Sequence, residues 1–140
     1  MKSLNVALVG ATGMVGRTML KVLEQRRFPI AKLVPVASAK SIGTTIDFNG
    51  DSVEVVGIET AFGMYLDLAL FTAGGAISTE WAPKFASKGV VVVDNSSAFR
   101  MSEKYKLIIP EINGSILTEE DMIIANPNCT TMQLLMALKP

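Results

Sequence analysis

The sequence predicts an α/β fold, in which helices cover both faces of an open, mainly parallel sheet. Three observations predict it. Short apolar segments alternate with segments of helical periodicity along the 140 residues. Several apolar segments are continuous, which is typical of strands buried on both faces of a parallel sheet. A glycine-rich turn joins the first apolar segment to the first helical one.

The composition narrows the class of partner. The 13 basic residues balance 13 acidic ones, so there is no electrostatic basis for binding nucleic acid or an anionic membrane. One cysteine excludes an internal disulfide. The start at Met1-Lys2-Ser3 indicates a strand rather than a signal peptide, and no apolar run approaches membrane-spanning length. We therefore expect a cytoplasmic protein without nucleic-acid or membrane partners.

Two further features of the composition are unusual. There is no histidine, which removes the commonest general base and a common metal ligand, and we expect no metal site. The mean hydropathy of +0.39 is high for a free-standing domain of this size. Such a chain exposes apolar surface that meets another domain or subunit. We expect the chain to be a piece of a longer protein.

The first unit predicts a nucleotide site. Residues 4–9 form a buried strand, residues 17–25 form a helix, and the turn between them has the spacing G-x-x-G-x-x-G, a variant of the dinucleotide fingerprint. Gly10 permits the tight turn, Gly13 lets the backbone approach a pyrophosphate, and Gly16 lets the helix pack close to the strand. In this context the pattern favours nucleotide binding over a plain glycine-rich turn.

The second strand, residues 32–37, leads into a segment that favours NADP over NAD. An NAD site usually has an acid here to hold the ribose 2′-hydroxyl. Residues 37–43 contain no acid but carry Ser38, Lys40 and Ser41, which suit a 2′-phosphate. The alternative is a solvated turn that happens to carry Lys40.

The middle of the chain supplies a hairpin and a second glycine-rich loop. Segments 46–48 and 53–56 flank Asn49-Gly50, a strong hairpin turn. Strand 66–71 ends before Gly74 and Gly75, which either pass the cofactor or form a simple loop or a helix start. A helix follows at residues 78–87.

The later strands carry polar ends. Strand 90–93 runs into a polar segment that ends at Arg100, either a clamp for phosphate or carboxylate or an ordinary surface arginine. Residues 107–109 are predicted as a strand followed by a loop at 110–113, and residues 118–120 as a short helix or turn. The last strand is predicted at residues 122–125.

Cys129 follows that last strand, at or just before the first turn of a helix predicted at residues 130–139. Unpaired N–H groups and the helix dipole favour a thiolate there. The alternative is a buried structural cysteine. Because parallel strands place their carboxyl ends at one edge, the glycine turn, residues 38–41, Gly74-Gly75, residues 95–100 and Cys129 are all expected there. This convergence favours a catalytic cysteine.

The sequence resembles the N-terminal portion of the aspartate-β-semialdehyde dehydrogenase family over essentially its whole length. The matching motifs are Val6-Ala7-Leu8-Val9-Gly10-Ala11-Thr12-Gly13-Met14-Val15-Gly16, Ala73-Gly74-Gly75, Asp94-Asn95-Ser96-Ser97-Ala98-Phe99-Arg100-Met101 and Ile124-Ala125-Asn126-Pro127-Asn128-Cys129. The resemblance implies a Rossmann-type, doubly wound NADP-binding domain at residues 1–128. Residues 129–140 would be the nucleophile helix that begins a catalytic and dimerisation domain absent from this chain.

The resemblance also implies roles for individual residues. Cys129 would form an acyl-enzyme thioester and Asn128 would position the reacting group, while Arg100 and Asn95 would hold substrate or inorganic phosphate. Lys40 stands where the family most often has arginine, which weakens the expected grip on a 2′-phosphate. The residues expected to bind the cofactor are Gly10, Thr12, Gly13, Met14, Val15, Gly16, Ser38, Lys40, Ser41, Ala73, Gly74 and Gly75.

The implied activity is the NADPH-dependent reduction of β-aspartyl phosphate to aspartate semialdehyde with release of phosphate, on the route to lysine, methionine and threonine. The family's acid/base histidine lies in the second domain, and its members are homodimers or homotetramers. We therefore expect this chain to bind cofactor without useful turnover.

Other assignments stay open at this point. Glyceraldehyde-3-phosphate dehydrogenase and N-acetyl-glutamyl-phosphate reductase also act through a cysteine thioester and also have the glycine turn. A stand-alone NADP-binding module, or a catalytically idle paralogue, would need no chemistry from Cys129.

Overall fold

The computed structural model describes residues 3–139 of the chain. Met1, Lys2 and Pro140, which belong to the predicted ranges 1–128 and 129–140, lie outside the described residues. The strands and helices follow in this order: β1 (Leu4–Val9), α1 (Met14–Gln25), β2 (Ile30–Val36), β3 (Thr45–Phe48), β4 (Asp51–Glu54), α2 (Ile58–Phe62), β5 (Leu68–Phe71), α3 (Gly75–Ser87), β6 (Val91–Asp94), β7 (Lys106–Leu107), α4 (Pro110–Asn113), a 3₁₀ turn (Gly114–Ile116), β8 (Ile123–Ala125) and α5 (Cys129–Leu138).

The predicted fold class is confirmed. Six strands form one sheet in the order β2-β1-β5-β6-β8-β7, and every pairing in it is parallel. Strand order reverses direction at β1, as in a doubly wound, Rossmann-type fold. The predicted antiparallel hairpin is present as β3 and β4. Its turn places Asn49 at φ +52° and Gly50 at φ +88°, the left-handed pair that two-residue hairpin turns require.

The core lies on both faces of the sheet. Alternate residues of β1 point to opposite sides, so that Val6 and Leu8 join Leu20 of α1 in one cluster. Ala7 and Val9 join a second cluster with α3, which contributes Trp81 and Phe85 among others. Both sides of β1 are covered by helices, and this is why its sequence is continuously apolar.

The predicted element boundaries need several corrections. Helix α1 begins at Met14 rather than residue 17, and α3 begins at Gly75 rather than residue 78. Residues 110–113, expected as a loop, form α4, with Pro110 in its first turn, where a missing N–H is tolerated. Helix α2 was not predicted, because five residues are too few to show a helical periodicity.

Candidate functional site

The five predicted segments leave the sheet at its carboxyl edge, because all pairings of the strands that precede them are parallel. The glycine turn follows β1, residues 38–41 follow β2, and Ala73 to Gly75 follow β5. The segment from Asn95 follows β6, and Cys129 follows β8 after three residues. The topology therefore places all five segments along one rim.

The glycine turn is built by close backbone contacts. Gly10 has φ +92°, and a Cβ added there would lie 2.6 Å from Thr72 Oγ1 and 2.9 Å from the amide nitrogen of Ala73. The amides of Gly10 and Ala11 both donate to the carbonyl of Val36, at 2.8 and 3.0 Å. A Cβ added at Gly16 would overlap the Gly10 carbonyl oxygen. Gly10 and Gly16 thus bring β1, β2, β5 and α1 into contact.

A cleft of about 520 Å³ lies between the ends of β1, β2 and β5. Five of the predicted cofactor residues line it: Gly10, Thr12, Gly13, Ser38 and Ala73. The other predicted cofactor residues, which do not line this cleft, are Met14, Val15, Gly16, Lys40, Ser41, Gly74 and Gly75.

The residues outside the cleft have different settings. Met14 and Val15 are exposed in the first turn of α1, which begins after Gly13 without a side-chain cap, whereas Gly16 is buried. Lys40 is exposed on a turn closed by a hydrogen bond from the Ser41 amide to the Ser38 carbonyl, 2.9 Å. This geometry agrees with both interpretations of the turn, as a site for a 2′-phosphate and as a solvated turn that happens to carry Lys40.

Sequence reasoning missed one wall of the cleft. Gly57, Ile58 and Glu59 line it, together with Ile42 and Ile77. The segment reaches the cleft because Val56 bridges Val36 in parallel fashion, so the chain after the hairpin returns to the end of β2. No local sequence pattern indicates such a long-range bridge.

Thr72 was also missed, although its position carried a signal. It lines the cleft directly after β5, and its hydroxyl donates to the carbonyls of Val9 at 2.9 Å and Gly10 at 3.3 Å. A polar residue at the carboxyl end of a buried strand is the pattern that could have identified it.

Cys129 is exposed and is the first residue of α5. Within residues 3–139 the thiol is accessible, on a helix that buries none of its side chains in the described part of the chain. Asn128 is the N-cap of α5, and its Oδ1 accepts a hydrogen bond from the Thr130 amide at 2.9 Å. The cap fixes the start of the helix and with it the placement of Cys129.

Arg100 is not an ordinary surface arginine. Its Nε donates to the carbonyl of Asn126 at 2.9 Å, and its Nη2 donates to the carbonyl of Asn95 at 2.8 Å. Asn126 also donates through its side-chain amide to Asn95 Oδ1. The guanidinium therefore ties the segment after β6 to the segment after β8, three residues before Cys129.

Asn95 keeps one polar group without a partner. Among residues 3–139, its Nδ2 is the buried side-chain nitrogen or oxygen that makes no hydrogen bond. Beneath it, the buried carboxylate of Asp94 accepts hydrogen bonds from the hydroxyls of Ser78 and Ser96, both at 2.6 Å. Sequence reasoning missed this network and Asn126, since serine and aspartate after a strand are equally common in loops.

Residues 3–139 contain no group of three or more Cys, Asp or Glu side chains arranged to hold a metal ion. None of the helices described is long and apolar enough to span a membrane.

Comparison with known proteins identifies the family to which the chain is similar. A family model described as semialdehyde dehydrogenase, NAD binding domain, matches residues 5–119. The aspartate-semialdehyde dehydrogenase of Aquifex aeolicus is 52% identical over 139 residues, which are 96% of this chain and 41% of that protein. The Shewanella violacea protein of the same name is 46% identical over 138 residues, 97% of this chain and again 41% of the relative.

A solved structure has the same fold. Aspartate semialdehyde dehydrogenase II from Vibrio cholerae, complexed with ASA, superposes with a TM-score of 0.92 at 47% identity, over 99% of this chain and 46% of that one. The chain thus spans less than half the length of each of these three proteins. It belongs to the semialdehyde dehydrogenase family, and the match covers that family's NAD-binding domain.

Proposed function

We propose that the chain is the cofactor-binding part of an NADP-dependent aspartate-semialdehyde dehydrogenase. The whole enzyme would reduce β-aspartyl phosphate to aspartate semialdehyde and release inorganic phosphate, on the route to lysine, methionine and threonine. Relatives named for this activity are 46% and 52% identical to the chain. A cytoplasmic location belongs to the same proposal.

One observation carries the proposal: the cleft and an exposed thiol share one rim of the sheet. Only β5 and β6 lie between β1, which leads into the glycine turn, and β8, which leads to Cys129. Adjacent strands are about 4.8 Å apart, so three steps across the sheet cover about 14 Å. A dinucleotide that lies along the rim from the glycine turn can bring its far end towards Cys129.

The residues that line the cleft and those beside it fit a dinucleotide phosphate. The first turn of α1 has no side-chain cap, so its N–H groups are available to a pyrophosphate. The hydroxyls of Ser38 and Ser41 with the exposed Lys40 would take the 2′-phosphate, and Gly74 and Gly75 would pass the nicotinamide half. When bound, the nicotinamide supplies a hydride.

Cys129 would act as the nucleophile. Its sulfur bonds to the acyl carbon of β-aspartyl phosphate, the carbon–oxygen bond to phosphate breaks, and phosphate leaves with the electron pair. Asn95 would hold an oxygen of the substrate with its unpartnered Nδ2, because a buried donor without a partner costs about 1–3 kcal/mol. Arg100 would add the guanidinium N–H groups that do not bind backbone.

The remaining machinery would lie outside the chain. We assign residues 1–128 to the cofactor domain and residues 129–140 to the start of the catalytic domain. Leu134, Met136 and Leu138 of α5 are 47–66% exposed, as expected of a helix that packs against further protein. The 140 residues lack a histidine for acid/base catalysis, and the whole enzyme would be a homodimer or homotetramer.

The test uses the full-length enzyme without NADPH. On mixing with β-aspartyl phosphate, we expect a burst of one equivalent of phosphate and the mass of an aspartyl adduct on Cys129. Cys129→Ser should abolish the burst and lower turnover about 10³-fold or more, with the Kd for NADPH unchanged within twofold. Thr131→Ala, an exposed residue of the same helix, is the matched control.

Three results would contradict the proposal. One is wild-type-like turnover by Cys129→Ser. Another is a burst with N-acetyl-glutamyl phosphate that exceeds the burst with β-aspartyl phosphate. The last is useful turnover by the 140-residue chain alone, which would place the acid/base group within it.

A further inference from the structure

The cofactor cleft contains one charged residue among those that line it in the described part of the chain, and its charge is negative. Glu59 lies in the first turn of α2, and the rest of the lining is aliphatic, glycine or hydroxyl-bearing. A carboxylate facing a site for a polyanion is unfavourable unless the ligand offers it a hydrogen-bond donor. We therefore expect the ligand to place a hydrogen-bond donor beside Glu59.

Backbone contacts to β2 place the segment that leads to Glu59, whose exposed side chain lines the cleft. The amide of Ala37 donates to the carbonyl of Val56 at 3.1 Å, and the amide of Val56 donates to the carbonyl of Pro35 at 3.0 Å. The carboxylate folds over Gly57, where an added Cβ would lie 3.6 Å from Glu59 Oε2. The acid thus stands beside the exit of β2, close to the segment that would hold the adenosine ribose.

The carboxylate is not engaged elsewhere. Within residues 3–139, Glu59 takes part in no side-chain hydrogen bond or salt bridge. Ile42 packs over the same glycine, with Cδ1 at 3.1 Å from the position of its added Cβ, and Ile58 also lines the cleft. Aliphatic walls beside one acceptor suit a flat base that carries a donor on its edge.

We propose that Glu59 determines base specificity by accepting a hydrogen bond from the exocyclic amino group of adenine. This inference rests on the proposed function, which puts the dinucleotide in this cleft with its 2′-phosphate on Ser38, Lys40 and Ser41. With the 2′ position phosphorylated, the donors left at the adenosine end are the ribose 3′-hydroxyl and the exocyclic amino group of the base, and the aliphatic walls beside Glu59 favour the base. A purine with an oxygen in place of that amino group presents an acceptor to the carboxylate and is rejected.

The experiment measures by calorimetry how the chain binds NADP⁺ and nicotinamide hypoxanthine dinucleotide phosphate. We expect the wild type to bind the adenine form about tenfold more tightly. In Glu59→Gln the ratio should fall to within twofold of unity, because an amide can accept from an amino group or donate to a carbonyl. The control is Glu54→Gln, an exposed acid of β4 outside the cleft, which should keep the wild-type ratio.

The outcomes separate this inference from the proposed function. If the wild type binds both dinucleotides with equal affinity, or if Glu59→Gln keeps the tenfold ratio, the base-reading role is wrong while dinucleotide binding stands. If Glu59→Gln changes the ratio of NADP⁺ to NAD⁺ affinity instead, the carboxylate faces the ribose and the inference fails. If the wild type binds neither form, the proposed function fails and the inference with it.

Discussion

The two ends of the sheet's carboxyl rim differ in how tightly they are packed. At the glycine-turn end, β1, β2, β5 and α1 contact one another through backbone, and Leu20 of α1 is buried against them. At the Cys129 end, β8 and β7 are short, and α5 contributes no buried residue among those described. The glycine-turn end is thus well packed within residues 3–139, whereas the Cys129 end buries little of its helix there.

The largest effect should come from breaking the glycine-turn end. In Gly16→Ala the new methyl would overlap the Gly10 carbonyl oxygen, and because that atom is backbone, α1 must move away from the turn. We expect the free energy of unfolding to fall by about 2–3 kcal/mol. Chemical denaturation of the chain measures it.

Gly75→Ala is the matched control for that change. Gly75 is also the start of a helix, but a Cβ added there meets no atom within 4 Å. We expect no loss, or a gain of up to about 1 kcal/mol from the better helix former. Equal losses in the two variants would show that backbone packing does not distinguish the first turn of α1.

A smaller and more local effect is expected at the Cys129 end. Arg100→Gln removes two hydrogen bonds from a charged donor to the carbonyls of Asn95 and Asn126. We expect this loss to destabilise the segment by about 1–2 kcal/mol. Amide hydrogen exchange at Asn126 and at residues 128–130 should accelerate about tenfold, while residues 10–16 keep their wild-type rates. The change thereby tests whether the two ends behave independently.

Lys84→Gln supplies the control for Arg100→Gln. Lys84 pairs with Glu80 on the surface of α3, at 3.0 Å, and such pairs contribute little. Exchange at Asn126 and at residues 128–130 should not change. If Arg100→Gln also leaves those rates unchanged, the guanidinium does not fix the segment that carries Cys129.

The smallest expected effect depends on pH. A hydrogen bond from Lys106 at 2.7 Å, followed by one from the Thr118 amide, lowers the pKa of Asp121 below its usual value. Because the folded-state pKa is the lower one, the stabilisation is present at neutral pH. It is lost as the pH falls from about 4 through the lowered pKa.

The protection factor of the Thr118 amide, which compares its exchange rate with that of an unstructured amide at the same pH, should therefore fall below pH 4 in the wild type. Asp121→Asn should remove this pH dependence, because an amide does not titrate in this range. An identical acid profile in the variant would show that another group opens the turn. The glycine-turn residues serve as an internal reference in the same spectra.

Residue patterns predicted what depends on local chemistry. The apolar run of β1, the hairpin at Asn49-Gly50 and the helix start at Cys129 each follow from neighbouring residues. The shared rim followed from strand alternation alone. The sequence could not predict that Glu59 enters the cleft, because a bridge between Val36 and Val56 brings it there. Nor could it predict that Arg100 binds backbone of two separate segments.

Both outer strands of the six-stranded sheet discourage intermolecular pairing. Pro35 in β2 offers no amide proton, and its carbonyl already accepts the Val56 amide. At the opposite margin β7 has two residues, and Pro110 follows shortly after it. Neither edge strand pairs readily with a strand of another molecule, so aggregation by strand addition is disfavoured. The apolar side chains of α5, such as Leu134 and Leu138, remain exposed for contacts of another kind.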